Sequence, residues 1–383
     1  MARFVWWIGI CLGLAVALSG CGEKGPILVG AVGDLQSGGK DVSSSFRNGV
    51  ALAEEMFNET GGVGGDLIKV IFGDDEGDPM LVPKVDEKLI ASGVKALIGH
   101  NTSATTEAAL PVIARHKILL IGPEATSSQF AGKDDYYVRV EVVEKTMAEI
   151  LADYASKTMK LRSVGAMLDE KNRPFCRPFF DAFQKRFRSL GGEAEIMYAY
   201  TNLDTVEAGR QTDAFLRRKG QALLLITNGE DTRLLGREVR KVRNDLPLLG
   251  TTWAIPPSMT GVIGPLPEGL IFPCTWDPDS QAPAYLEFKN LYEKRFSQPI
   301  DYHAVHAYEA MGLLVQAIKK GGRDRTKLGS TVSKMGDFDG LQGRIRIDAY
   351  GDCQRDVYML RAIDGEPRRV DAQPRKAEPQ ANK

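Results

Sequence analysis

Thr102, Ser103, Thr126 and Ser127 are the residues of this 383-residue chain whose type and spacing come nearest to a binding chemistry. They close two short loops, Gly99-His-Asn-Thr-Ser103 and Gly122-Pro-Glu-Ala-Thr-Ser127, and each loop runs into a helix start. A helix start leaves backbone N–H groups without partners and carries the positive end of the dipole. Hydroxyls beside those N–H groups, with Asn101 next to them, make a cradle for an anion such as a carboxylate. The competing reading is that the hydroxyls only cap their helices; two such loops converging on one place favour a ligand.

Convergence depends on the elements between the loops. Val94 to Ile98 is a short apolar run, Ala104 to His116 repeats Ala108, Ala109, Val112 and Ile113 at helical spacing, and Ile118 to Ile121 is apolar again. That pattern predicts a β-α-β unit. Its two loops then leave the carboxyl ends of neighbouring parallel strands, where open α/β sheets hold their ligands.

No reacting constellation accompanies this cradle. Of four histidines, His303 and His306 share a helix face without a third ligand, His100 ends a strand and His116 ends a helix, so each reads as structural. The glycine cluster from Asn58 to Gly65 follows a helix and precedes a strand, the reverse of a phosphate-binding loop. Acidic residues between Asp74 and Asp78 lack the spacing of a calcium loop, and Asp78-Pro79 suits a helix start. No catalytic residue, metal site or cofactor is expected. A formal net charge of -1 with interspersed signs also excludes a nucleic-acid surface.

The chain is long enough, and at 43% hydrophobic apolar enough, for two cores. Alternating strand and helix patterns run from Ile27 to Val140 and begin again from Lys145 to Thr251. Trp276 to Ser280 reads as a crossing back to the first lobe, Arg344 to Ile347 and Val357 to Ile363 as an antiparallel closing pair, and everything past Pro367 as a disordered tail. Arg3, the apolar run Phe4 to Leu18, and Leu18-Ser-Gly-Cys21 form a processing signal that resembles a bacterial lipobox. Cys21 would then carry lipid and become the mature N-terminus, outside the cytoplasm. Cys176, Cys274 and Cys353 form no framework; thiols with at most one bridge are expected.

Several stretches in order, Asn48 to Ala53 running into Asn58 to Gly65, Asp74-Asp75 with Asp78-Pro79, Leu97 to His100, and Gly122-Pro123 with Ala125-Thr126, make the chain resemble a type I periplasmic binding protein. The resemblance is to the branched-chain amino acid (Leu/Ile/Val) binding family that serves ABC transporters, and it covers nearly all of the mature chain. It implies two Rossmann-like α/β lobes joined by a three-crossing hinge and closing over a small ligand, a monomer that docks to a permease. The expected division is 1–20 signal peptide, 21–26 tether, 27–143 with 277–345 lobe 1, 144–276 with 346–366 lobe 2, and 367–383 tail. A ligand-binding subunit of a sensory system on the same fold is the alternative function.

Carried over residue by residue, the resemblance implies that Ser103 and Thr126 hold an amino-acid carboxylate and that the Ala125 carbonyl accepts from the ammonium. The second lobe departs from the family pattern. Its expected aromatic residues fall near Arg173 and near Asn228 and Gly229, and its expected acidic ammonium partner falls at Thr252. Glu230 or Asp231 would have to supply the carboxylate, and Trp253 or Phe175 the aromatic wall. Arg173 would suit a second anionic group on the ligand, through bidentate pairing.

Overall fold

The computed structural model describes residues 25–35, 45–218, 220–255, 265–370 and 375–376. Cys21 and part of the loop after the first strand lie outside them. The N-terminal half runs β1 (Ile27–Gly33), α1 (Ser45–Glu59), β2 (Ile68–Asp74), α2 (Val82–Ala91), β3 (Ala96–Ile98), α3 (Ser103–His116), β4 (Leu119–Gly122) and β5 (Tyr137–Arg139). Next come α4 (Glu144–Asp153), β6 (Ser163–Asp169), α5 (Arg173–Ser189), β7 (Glu193–Tyr200), α6 (Thr205–Arg217), β8 (Ala222–Ile226), α7 (Gly229–Val242), β9 (Leu248–Leu249) and β10 (Ile271–Cys274). The chain ends with α8 (Pro283–Phe296), α9 (Tyr302–Gly321), α10 (Arg325–Met335), β11 (Asp337–Asp339), β12 (Arg344–Ile347), β13 (Cys353–Gln354), β14 (Asp356–Ile363), β15 (Glu366–Arg369) and β16 (Arg375–Lys376).

One sheet has the order β2-β1-β3-β4-β5 and is parallel throughout. The other has the order β15-β14-β10-β9-β8-β6-β7, parallel from β10 to β7. Strands such as β4 (LLIG) and β8 (ALLLI) are buried along their whole length, because helices cover both faces of each sheet. On the first sheet α1, α9 and α10 cover one face and α2 with α3 the other. Close packing there depends on Gly49 of α1, where a Cβ would stand 2.6 Å from the Ala304 carbonyl oxygen of α9. Two α/β lobes with parallel sheets result.

The chain passes between the lobes after β5, after β10 and between β12 and β14. Charged groups knit these passages. Arg355 donates to Glu309 at 2.6 Å and to the Val140 carbonyl at 3.1 Å, and Thr275 donates to Glu141 at 2.6 Å. Burial pushes the Glu141 carboxyl up to about 7, against the pull of Arg355.

Four expectations need correction. β12 does not pair with β14: Ile345 and Ile347 pack in the first lobe, where β12 joins β11 and β13, whereas β14 lies antiparallel to β10 in the second sheet. The chain past Pro367 does not leave the fold at once, since β15 returns along β14 through Asp364-Gly365, with φ of 54° and 81°. An Asp-Gly pair at positive φ is the favoured two-residue hairpin turn, a signal present in the sequence. α2 starts at Val82, because Asp78 spends its carboxylate and carbonyl on the turn of Met80 and Leu81 and Pro83 supplies the fixed φ. Finally, the alternating pattern expected to run to Thr251 closes on a strand of only two residues, Leu248–Leu249. Cys176, Cys274 and Cys353 are buried and free.

Candidate functional site

The loops after β1, β3 and β4 meet at Asn101. Its Oδ1 accepts the Asp34 N–H at 3.0 Å, and its Nδ2 donates to Glu124 at 3.2 Å. Gly33 makes room for this side chain, since a Cβ there would collide with Asn101 Oδ1. Below the loop, His100 is fully buried between Asp75 (2.6 Å) and Asp86 (3.4 Å). Burial disfavours its charge, but the two carboxylates outweigh that and raise its pKa to about 9. A charged His100 thus holds the β3 loop against the loop after β2 and against α2.

Thr102 is the true cap of α3, in a reciprocal arrangement with Thr105. Ser103, one residue on, is therefore not needed as a cap; it is 2% exposed and its Oγ accepts the Ser127 N–H at 3.2 Å. The contact joins the two hydroxyl loops. Thr126 is buried beside them, and the Ala125 carbonyl accepts from Tyr137 at 2.9 Å, leaving one lone pair.

Between the sheets lies a small cavity. The first lobe lines it with Asn101, Thr102, Ser103, Glu124 and Thr126, and the second with Asn172, Phe175, Thr252 and Trp253. Tyr302, at the start of α9, completes it. Phe175 and Trp253 meet edge to face at 6.0 Å between ring centroids. His303 pairs with Glu124 at 3.0 Å and reaches the Ile255 carbonyl of the second lobe at 3.3 Å. Both neighbours are acceptors, so both ring nitrogens must donate, which requires the imidazolium. Burial lowers its pKa, but Glu124 more than compensates and raises it to about 9.

A sequence pattern described as "Periplasmic binding protein" matches residues 26–367. The chain belongs to the periplasmic binding protein family. It is similar to Leu/Ile/Val-binding protein homolog 2 of Brucella abortus (strain 2308), 24% identical over 92% of this chain and 94% of the relative. Its fold resembles a leucine binding protein from Thermotoga maritima, with a TM-score of 0.79 at 20% identity over 90% of this chain and 98% of that one. It also resembles an ABC-transporter solute binding protein from R. palustris in complex with benzoate, with a TM-score of 0.79 at 18% identity over 93% and 98%.

As a periplasmic binding protein the chain is a binder, not an enzyme, and its cleft gathers most of the residues singled out from sequence. Asn101, Thr102, Ser103, Thr126, Thr252 and Trp253 line the cavity. Four others do not: Ala125 is buried with its carbonyl bonded to Tyr137, and the remaining three belong to the second lobe. Arg173 is at the surface, its side chain 64% exposed and paired with Glu170 at 2.8 Å, because the first turn of α5 directs it away from the cleft. Glu230 and Asp231 line a separate polar pocket with Lys171, Asn228 and Arg233. Asp231 is held there by Tyr200 at 3.0 Å and by Asn228 at 2.9 Å. Glu124, Asn172 and Tyr302 were not singled out. Glu124 lies within a loop that was, and Asn172 precedes a helix start, but only the tertiary approach of the lobes shows that they meet. Among the described residues no three His, Cys, Asp or Glu are grouped to hold a metal.

Proposed function

We propose that this protein captures a small carboxylate between its lobes and delivers it to an ABC-transporter permease, and that the carboxylate sits on an apolar, preferably aromatic, body. One observation carries the choice of ligand: the cavity joins a hydroxyl-lined helix start to an aromatic wall, and among the described residues the one lining carboxylate, Glu124, already has its charge paired with His303. Glu124 is already shared between His303 and Asn101, and Glu230 and Asp231 lie elsewhere. An amino acid would bury its ammonium with few partners, at a cost of about 1–3 kcal/mol. Relatives named for Leu/Ile/Val binding and a similar fold holding benzoate support the two ligand classes, and the aromatic pair favours the second.

The Ser103 and Thr126 hydroxyls and the Ser103 N–H at the start of α3 would hold the carboxylate; Phe175, Trp253 and Tyr302 would enclose the body. The lipobox-like Leu18 to Cys21 supports a mature protein anchored by lipid outside the cytoplasm. Among the described residues no helix is long and apolar enough to cross a membrane. Calorimetry with benzoate, 4-hydroxybenzoate and leucine tests the ligand class: the aromatic acids should bind more tightly than leucine, and the reverse order would refute the preference. Cys21→Ser should abolish membrane retention or processing in fractionated cells; unchanged fractionation and processing would refute the anchor.

A further inference from the structure

Asn172 occupies the N-cap position of α5, where an Asn side chain ordinarily accepts from its own helix, yet it makes no such bond. Its Oδ1 instead accepts the Ala104 N–H of α3 at 3.1 Å, across the cleft. Chemistry fixes the orientation of this amide. A backbone N–H only donates, so the atom facing it is the oxygen, and Nδ2 is left for another partner. Asn172 is 5% exposed and lines the cavity beside Ser103 and Thr126. Two helix N-termini therefore face one cavity, α3 from the first lobe and α5 from the second. Each carries a partial positive charge equivalent to roughly half an elementary charge, so closure brings like ends together unless an anion lies between them.

We propose that Asn172 is a specificity-determining residue that reads the ligand carboxylate from the second lobe. Its Oδ1 fastens that lobe to α3, and its Nδ2 donates to the carboxylate held by Ser103 and Thr126. Closure and recognition of the anion are then one event, and a neutral isostere forfeits both the match to Nδ2 and the charge between the helix ends. This inference rests on the carboxylate reading above.

The test compares benzoate with its neutral isostere benzamide on the full-length mature protein. Asn172→Asp keeps an acceptor for the Ala104 N–H but sets a negative charge against the ligand. It should weaken benzoate by roughly a hundredfold and benzamide far less, so that discrimination between the two collapses. Asn172→Ala, the second variant should the aspartate not fold, should weaken benzoate by roughly tenfold. Ser103→Ala serves as the control on the first lobe. Wild-type benzoate affinity in the folded Asn172 variants, with Ser103→Ala weakened, overturns the role of Asn172 alone. Wild-type affinity in all of them, or no benzoate binding by the unsubstituted protein, overturns the carboxylate reading and this inference with it.

Discussion

Each lobe places an asparagine in a loop after a parallel strand, and the two asparagines leave opposite things for a ligand. On the first lobe Asn101 ties the Asp34 N–H to the Glu124 carboxylate, which frees Ser103 and Thr126 to line the cavity. On the second lobe the Asn228 amide gathers Asp169 and Asp231, both at 2.9 Å, while its oxygen caps α7 through the Asp231 N–H. Burial raises the pKa of both aspartates, and their remaining capacity is taken by Tyr200 and the Lys171 N–H. One cluster exposes its polar groups to the cleft; the other consumes them internally. What a loop offers a ligand is what its own hydrogen bonds leave over, and here that is a polar end on one side and an aromatic wall on the other.

The comparison can be broken most directly at the polar end. Ser103→Ala and Thr126→Val should each weaken carboxylate binding by roughly tenfold to a hundredfold, since a hydrogen bond to a charged group contributes about 1.5–3 kcal/mol. Because Thr102 is the helix cap, Ser103→Ala should leave α3 formed, but it strands the buried Ser127 N–H and should lower the melting temperature by a few degrees. Calorimetry and thermal denaturation read the two effects separately, and full affinity in both variants would place the anion elsewhere.

At the wall, Trp253→Ala should cost roughly tenfold for an aromatic acid, from lost burial and the edge-to-face contact with Phe175. A leucine-type ligand should lose less. Equal losses for both ligand types would show that the wall is only an apolar surface.

The contact between the lobes at His303 should weaken in alkali. With its pKa raised from 6.5 to about 9, His303 contributes stability that is complete below about pH 6.5 and is lost as pH rises through about 9. His100 behaves in the same sense but lies within one lobe. His303→Gln should therefore remove part of the alkaline loss of ligand affinity while leaving most of the alkaline loss of thermal stability. An unchanged affinity profile would show that His303 does not link the lobes.

The smallest effects are expected where sequence reading pointed and the structure did not follow. Arg173→Ala and Asp231→Asn should change affinity by less than roughly twofold, the first because its ion pair is exposed and the second because it faces another pocket. A large loss in either would mean that the cleft extends past Asn228.

The alternation of apolar runs with helical repeats, and the hydroxyl loops at Ser103 and Thr126, were legible in the chain because strand burial and helix starts are local patterns of period, cap and turn. The second lobe was less legible. Whether Asp231 faces a ligand or Tyr200, and whether Asn172 caps its own helix or one sixty-eight residues away, are choices among partners distant in sequence, whereas Arg173 turns to a local partner, Glu170. The distant choices are decided by which groups the packed chain brings within hydrogen-bond reach. The residue types set what could be recognised; only the approach of the lobes decided which groups were left free to do it.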